Sequence, residues 1–352
     1  MKKIAVIVSV AAALAIPTAS FAAIGWNSCD KAAAAPDGAV VMLMIHAPSS
    51  VESRAAVKAI NASAEFAEAA AGTFAVSCDA GTVKGKEQAE RFKAVAFPTV
   101  IFLDAKGRET DRLAAFDDMS KSAADVAAIK SGKNISDESA RKADKEKENL
   151  QVWFDAGSRW AYRGDAEKAK KYLGKVLTAD SANKTGLASK SVFILGKYVF
   201  LLGSRDYDNA SLQLEQIKKY FPASPEARGI NVFLATAYLK AKREGQAVKL
   251  MRKAVEDNNN EAAPYLEFAQ FSLMNSYKLE EGLEKAQKAT GLNPANPEAW
   301  MVQAKIESAL GKTADSLKSA EESAKNCGDD QWYRQEYDVM KAASPAVKAE
   351  NK

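Results

Sequence analysis

The feature that most constrains this chain is a recurrence of small residues in its second half. Glycine or alanine returns at Gly157, Gly196, Ala235, Ala269 and Ala304, at intervals of 39, 39, 34 and 35 residues. A second series runs through Ala169, Ala210, Ala247, Gly282 and Ser316. Four residues after each of these stand Leu173, Leu214, Met251, Ala286 and Ala320, and three further on Val176, Ile217, Ala254, Ala289 and Ser323. Offsets of three and four place such residues on one helix face. A small side chain lets a second helix cross closely, while larger apolar neighbours fill the gaps. A pair of such helices cannot bury its apolar face alone, so pairs stack into an array. Residues 150–343 are therefore read as an all-α helical solenoid. Within it, residues 331–342, with Trp332, Tyr333 and Tyr337, form a capping helix; after it, 344–352 make a tail.

These are the packing positions of tetratricopeptide (TPR) repeats, which the region resembles over about five units. Asn296-Pro297-Glu298-Ala299-Trp300 is the best single match. In that family the first helix of each unit lines a concave groove for a peptide or protein. The resemblance puts Tyr162, Lys197, Lys240, Gln270 and Lys305 near that groove. Three of the five are cationic, so the implied partner is a protein or peptide with an acidic segment.

Charge and composition narrow the function classes. The 49 basic and 45 acidic side chains leave +4, with Lys2 and Lys3 among the positives. A nucleic-acid binder needs a basic stripe, and none is present. One histidine, His46, and three cysteines exclude His-rich metal centres and a four-cysteine zinc site. No phosphate-binding glycine loop or dinucleotide fingerprint occurs, so no cofactor or metal is expected. Lys2-Lys3, an apolar run Ile4 to Ile16, Pro17 and Ser20-Phe21-Ala22 read as a secretory signal peptide over 1–22, too short for a good membrane span. No later stretch approaches the ~18 apolar residues of a membrane helix, so the expected mature chain lacks a transmembrane segment. It is exported to an oxidising compartment, the periplasm or the exterior.

Residues 23–132 read as a mixed α/β unit. Val40 to Ile45 is a strand buried on both faces, followed by a helix from about Glu52 to Ala71. Thr73 to Cys78 is a second strand, Phe97 to Asp104 a third, and Arg108 to Phe116 its hairpin partner. A further helix covers 122–131. Residues 133–149 carry ten charges and few apolar side chains, and are read as a charged linker.

Phe97-Pro98-Thr99, opening a strand that ends in Asp104-Ala-Lys-Gly107, resembles the thioredoxin family, as does the buried strand followed by a turn and a long helix. The resemblance implies a cis Pro98 facing an active-site turn. Disulfide exchange in that family requires two cysteines at the helix N-terminus, where the first thiol is acidified. The corresponding positions here are Ser50 and Ser53, in Ser50-Val51-Glu52-Ser53. The family's buried acid is replaced by Met44, and its tryptophan is missing. The site Ser50, Ser53, Pro98 is thus a degenerate one. The family's strand order makes the strands before Cys29 and before Cys78 parallel neighbours, which implies a structural Cys29–Cys78 disulfide. Cys327 is a packing residue. Ser50 has His46 four residues upstream, but with no third group to orient the imidazole, a helix-capping serine is the economical account. The function expected is that of an exported protein-binding scaffold, not an enzyme. The alternative is an unconventional thiol–disulfide oxidoreductase using Cys29 and Cys78.

Overall fold

The computed structural model describes residues 24–344 apart from Ala33 and Asp37. The leader expected at 1–22 and residues 345–352 of the tail lie outside the described residues. The chain is a predominantly helical TPR-like solenoid preceded by a small mixed-sheet region.

The sheet contains β1 (Asn27–Ser28), β2 (Val41–His46), β3 (Phe74–Asp79), β4 (Thr99–Leu103) and β5 (Glu109–Leu113), in the order β1-β3-β2-β4-β5. β1 and β2 run parallel to β3, whereas β4 is antiparallel to both β2 and β5. Helices α1 (Val51–Ala62), α2 (Ala64–Ala70), α3 (Val83–Arg91) and α4 (Met119–Lys130) pack around it. The unbroken apolar run in β2 has a simple cause: both of its faces are covered. Met42 and Met44 enter one core with Ile60, Phe66, Phe102 and Val126. Val41, Leu43 and Ile45 enter the other with Val76, Phe92 and Ile101, following the period of two that alternates strand side chains. The helix expected as one piece from Glu52 to Ala71 is two. Ser63 takes an extended conformation between them and its hydroxyl accepts from the Phe66 N–H at 3.1 Å, starting α2.

The stretch read as a charged linker is largely helix α5 (Ile135–Lys145). Its composition is charge-rich, yet Ile135, Ser136 and Ala143 are buried. Ile135 joins the sheet-domain core, and Ala143 joins the core of the first helix pair. Three buried positions suffice to dock a helix whose remaining faces are solvated.

The solenoid is made of five helix pairs. They are α6 (Leu150–Tyr162) with α7 (Ala166–Ala179), α8 (Leu187–Phe193) with α9 (Tyr207–Tyr220), α10 (Ile230–Lys240) with α11 (Glu244–Asp257), α12 (Ala262–Asn275) with α13 (Leu279–Leu292), and α14 (Pro297–Ala309) with α15 (Thr313–Lys325). α16 (Trp332–Ala343) covers the last pair. The small residues sit at the helix crossings. A β-carbon on Gly157 would lie 2.6 Å from Leu173 Cγ, and one on Gly196 would lie 2.7 Å from Leu214 Cδ2. Ala235, Ala269 and Ala304 are fully buried in the equivalent place. The two long intervals are absorbed by the connections at 180–186 and 221–229 and by α8 itself, which continues as a π-helix over Ile194–Ser204.

Counting that extension, Leu187–Ser204 is long and apolar enough to cross a membrane by length and composition. This corrects the expectation that nothing after the leader reaches such length. Its apolar character serves the solenoid, where Val192, Ile194, Leu195, Val199 and Leu201 are buried.

Candidate functional site

Local chemistry fixes the turn between β2 and α1. Ser50 caps the helix: its hydroxyl accepts from the Ser53 N–H at 3.2 Å and donates to Glu52 Oε2 at 2.8 Å. The Ser53 hydroxyl is buried and accepts from the Ala47 N–H at 3.0 Å. Both oxygens are therefore occupied in shaping the turn. The cis Phe97–Pro98 bond lies just before β4, and the pairing of Ile45 with Thr99 brings these two chain segments side by side. A cavity of about 380 Å³ opens there, lined by Ala47, Ser49, Ala80, Lys86, Glu90 and Phe97 among others. His46, at the end of β2, is half-buried; burial lowers its pKa while the Asp79 charge opposes the shift. Cys29 and Cys78 are joined, with their sulfurs 2.00 Å apart and their Cα atoms 4.7 Å apart. Cys78 is fully buried and Cys327 is a buried free thiol. Among the described residues no group of three or more His, Cys, Asp or Glu is placed to hold a metal ion.

The expected groove residues do not share one environment. Tyr162, at the end of α6, stacks edge-on against Tyr198 with ring centroids 5.2 Å apart. Burial raises its pKa, helped by Tyr198 and Asp117. Lys197 lies in the π-helical segment, with its ammonium 4.0 Å from the centre of the Phe233 ring and 4.9 Å from that of Tyr198. Burial lowers its pKa to about 8, although the Glu52 charge pulls the other way. Gln270 Nε2 donates to Glu298 Oε1 at 2.8 Å. Glu298 is half-buried and raised, first by burial and then by the nearby Glu52 charge. Lys305 pairs with Glu336 at 2.9 Å and lies over the Trp332 ring at 4.9 Å. Lys240 is exposed.

Four of the five residues thus reach a connected face, and Lys240 stands apart. That face is not open. The first turn of α1 lies against it, with Glu52 near Lys197 and Arg54 bonded to Asp330 beside Trp332 and Tyr333. Burial pushes the Glu52 carboxyl up, but the Ser50 hydroxyl, its own backbone N–H, Lys197 and Arg54 together hold it below the ordinary value. The turn at Ser50 to Ser53 and four of the residues expected in a groove, read from the sequence as separate sites, meet at one junction. Sequence reasoning missed Glu52, Arg54, Tyr198, Phe233, Glu298 and Asp330. Only Tyr198 carried a signal, as the aromatic residue following Lys197.

A second seam fixes the same arrangement. Asp111 on β5 is fully buried and accepts from the backbone N–H groups of Arg112 and Ser136, the Ser136 hydroxyl and Arg163 Nη1. Arg112 Nη1 donates to the Tyr162 carbonyl at 3.0 Å. Arg159 pairs with Asp125, and Lys121 with Asp155 at 2.6 Å.

The solenoid has similarities to known proteins. The family model of ChAPs, the Chs5p-Arf1p-binding proteins, matches residues 196–342, less than half of the chain. Among curated proteins, none matches the sequence. Among solved structures, YrrB, described as a TPR protein with an unusual peptide-binding site, is 17% identical, with 56% of this chain and 96% of that chain covered and a TM-score of 0.32. TTC0263, a thermophilic TPR protein from Thermus thermophilus, is 14% identical over 55% of this chain and 98% of its own, with a TM-score of 0.38. MamA is 17% identical over 52% and 94%, with a TM-score of 0.34.

Proposed function

We propose that the chain is an exported protein-binding scaffold. In this reading a thioredoxin-like domain that has lost disulfide exchange is joined to a TPR-like array that takes a peptide segment of a partner. One observation carries it: at the two helix-start positions where that chemistry needs sulfur, the chain has hydroxyls, that of Ser50 capping α1 and that of Ser53 holding the turn before it. A hydroxyl neither forms nor resolves a mixed disulfide. The strand order and the cis Phe97–Pro98 bond beside the turn support the thioredoxin-like assignment. The Cys29–Cys78 pair belongs to the core on one face of the sheet, whereas α1 packs into the core on the other, and it is read as a structural crosslink. Export, by the leader over 1–22 to the periplasm or exterior, fits such a crosslink. The naming of the ChAPs as binding proteins is in line with a partner-binding array. Glu52 beside Lys197 supports a preference for an acidic side chain at that place. The cavity beside Phe97 leaves room for an extended segment added along the sheet domain.

Insulin reduction tests the reading. The purified protein is expected to give turnover no higher than buffer with dithiothreitol alone, and Cys29→Ser is expected to leave that background unchanged. Turnover that disappears in Cys29→Ser establishes the oxidoreductase alternative instead.

A further inference from the structure

The junction between the two regions is built around one side chain. Arg54 leaves the first turn of α1 and reaches the start of α16. Its Nε donates to the two Asp330 oxygens at 3.0 and 2.8 Å, and its Nη2 lies 2.6 Å from Oδ2. The guanidinium carbon sits 4.5 Å from the centre of the Trp332 ring and 4.8 Å from that of Tyr333. Nη1 donates to the Pro48 carbonyl at 2.6 Å. Only 12% of the side chain remains exposed.

A carboxylate on the Nε edge of a planar cation and aromatic rings over its faces combine two ways of holding an arginine, although Nη2 is buried with no hydrogen bond of its own. Lysine, a point charge, matches the carboxylate but not the planar edge. Of the groups holding this guanidinium, Asp330, Trp332 and Tyr333 all belong to the array. Glu298, also of the array, is close enough for its charge to act on Arg54. Lys305 lies over the same indole while Glu336 neutralises it. The carboxylate and both rings of the cradle therefore come from the array, and the sheet domain adds only the Pro48 carbonyl. The sheet domain does not need Arg54 for its own core, since α1 buries Ile60 and Ser53 instead.

We propose that Asp330, Trp332 and Tyr333 form a receptor site for an arginine side chain of a partner peptide, closed in this structure by Arg54 of the same chain. The proposal rests on the peptide-binding reading above and names the ligand residue at that site. An internal arginine competes at an effective concentration in the millimolar range, so an external peptide meets a largely occupied site. Truncating Arg54 vacates the place between the Asp330 carboxylate and the two rings, with the Pro48 carbonyl still beside it.

Titration calorimetry on the full chain tests this. The probe is the blocked hexapeptide Val-Glu-Ser-Arg-Ala-Ala, a copy of residues 51–56, compared with the same peptide carrying alanine for arginine. Arg54→Ala is expected to bind the arginine peptide at least tenfold more tightly than the wild type and to give no measurable heat with the alanine peptide. Adding Asp330→Asn to Arg54→Ala is expected to abolish the binding. Arg54→Lys keeps the charge and the stem, so it guards against a folding failure, and is expected to fall between wild type and Arg54→Ala. The proposal is overturned if Arg54→Ala binds neither peptide, binds both equally, or matches the wild type. If Arg54→Ala binds neither peptide yet retains the same partners as wild type on an extract column, the arginine site falls and the scaffold reading stands.

Discussion

The sheet domain and the solenoid bury their apolar residues by opposite routes. In the sheet domain the core depends on segments far apart in the chain: β2 pairs with both β3 and β4, and Cys29 joins Cys78 across 49 residues. In the solenoid Gly157 meets Leu173 and Gly196 meets Leu214, contacts closed within a single helix hairpin. Long-range closure costs chain entropy before any contact rewards it, whereas a solenoid accumulates stability from neighbour to neighbour. A crosslink should therefore matter greatly to one region and hardly to the other.

The largest expected effect breaks or confirms that contrast. A loop of this length is worth about 4 kcal/mol in the chain-entropy model of a disulfide. Replacing Cys29 and Cys78 by serine is expected to destabilise β1 to β5 by about that amount and to leave α10 to α15 unchanged. Amide hydrogen exchange resolves the two regions. Equal loss of protection in both would mean that they unfold as one cooperative unit, and the contrast would be of geometry only.

Where the regions join, the chemistry is polar. Asp111 accepts four hydrogen bonds in a fully buried place, from β5, α5 and Arg163 just past the end of α6. Removing its carboxylate takes the acceptor from the Ser136 donors and leaves Arg163 only the Glu109 carboxylate, 3.9 Å away, and breaking a buried pair in this way costs about 3 kcal/mol. Asp111→Ala is expected to show that loss in urea unfolding and to widen the gap between the sheet-domain and solenoid transitions. Wild-type midpoints for both would show that the seam does not couple the regions.

Legibility from sequence followed the same division. The helix crossings of the solenoid could be read because close approach restricts side-chain size at fixed spacing, as at Gly157 and Gly196. β2 could be read because burial on both faces leaves an unbroken apolar run. α5 could not, since Ile135, Ser136 and Ala143 are thinly spread among charges. The π-helical continuation of α8 has no composition of its own, and it rotates the downstream residues by roughly half a turn relative to an α-helix. The junction was the least legible part. Glu52 and Arg54 look like ordinary solvated positions on α1, and the docking of one region on the other gives them Lys197 and Asp330 as charged neighbours.

A buried and a half-buried charge at that docking surface make the last contrast. Asp111 is held by four donors, whereas Lys197 is surrounded by the Phe193, Tyr198 and Phe233 rings, with the Glu52 charge only partly offsetting its loss of water. Its pKa falls from 10.5 to about 8 on folding. A lysine lowered in this way opposes folding most strongly below about pH 8, where both states carry the proton. Between pH 8 and 10.5 the unfolded chain binds more protons than the folded one, so the wild type gains stability as pH rises. Lys197→Met removes the titration. Wild type is therefore expected to gain about 2 kcal/mol relative to Lys197→Met across that range, measured by urea midpoints at stepped pH. A pH-independent difference would mean that water reaches the ammonium, and that the α1 turn does not rest on the solenoid in solution as closely as Asp111 rests on its donors.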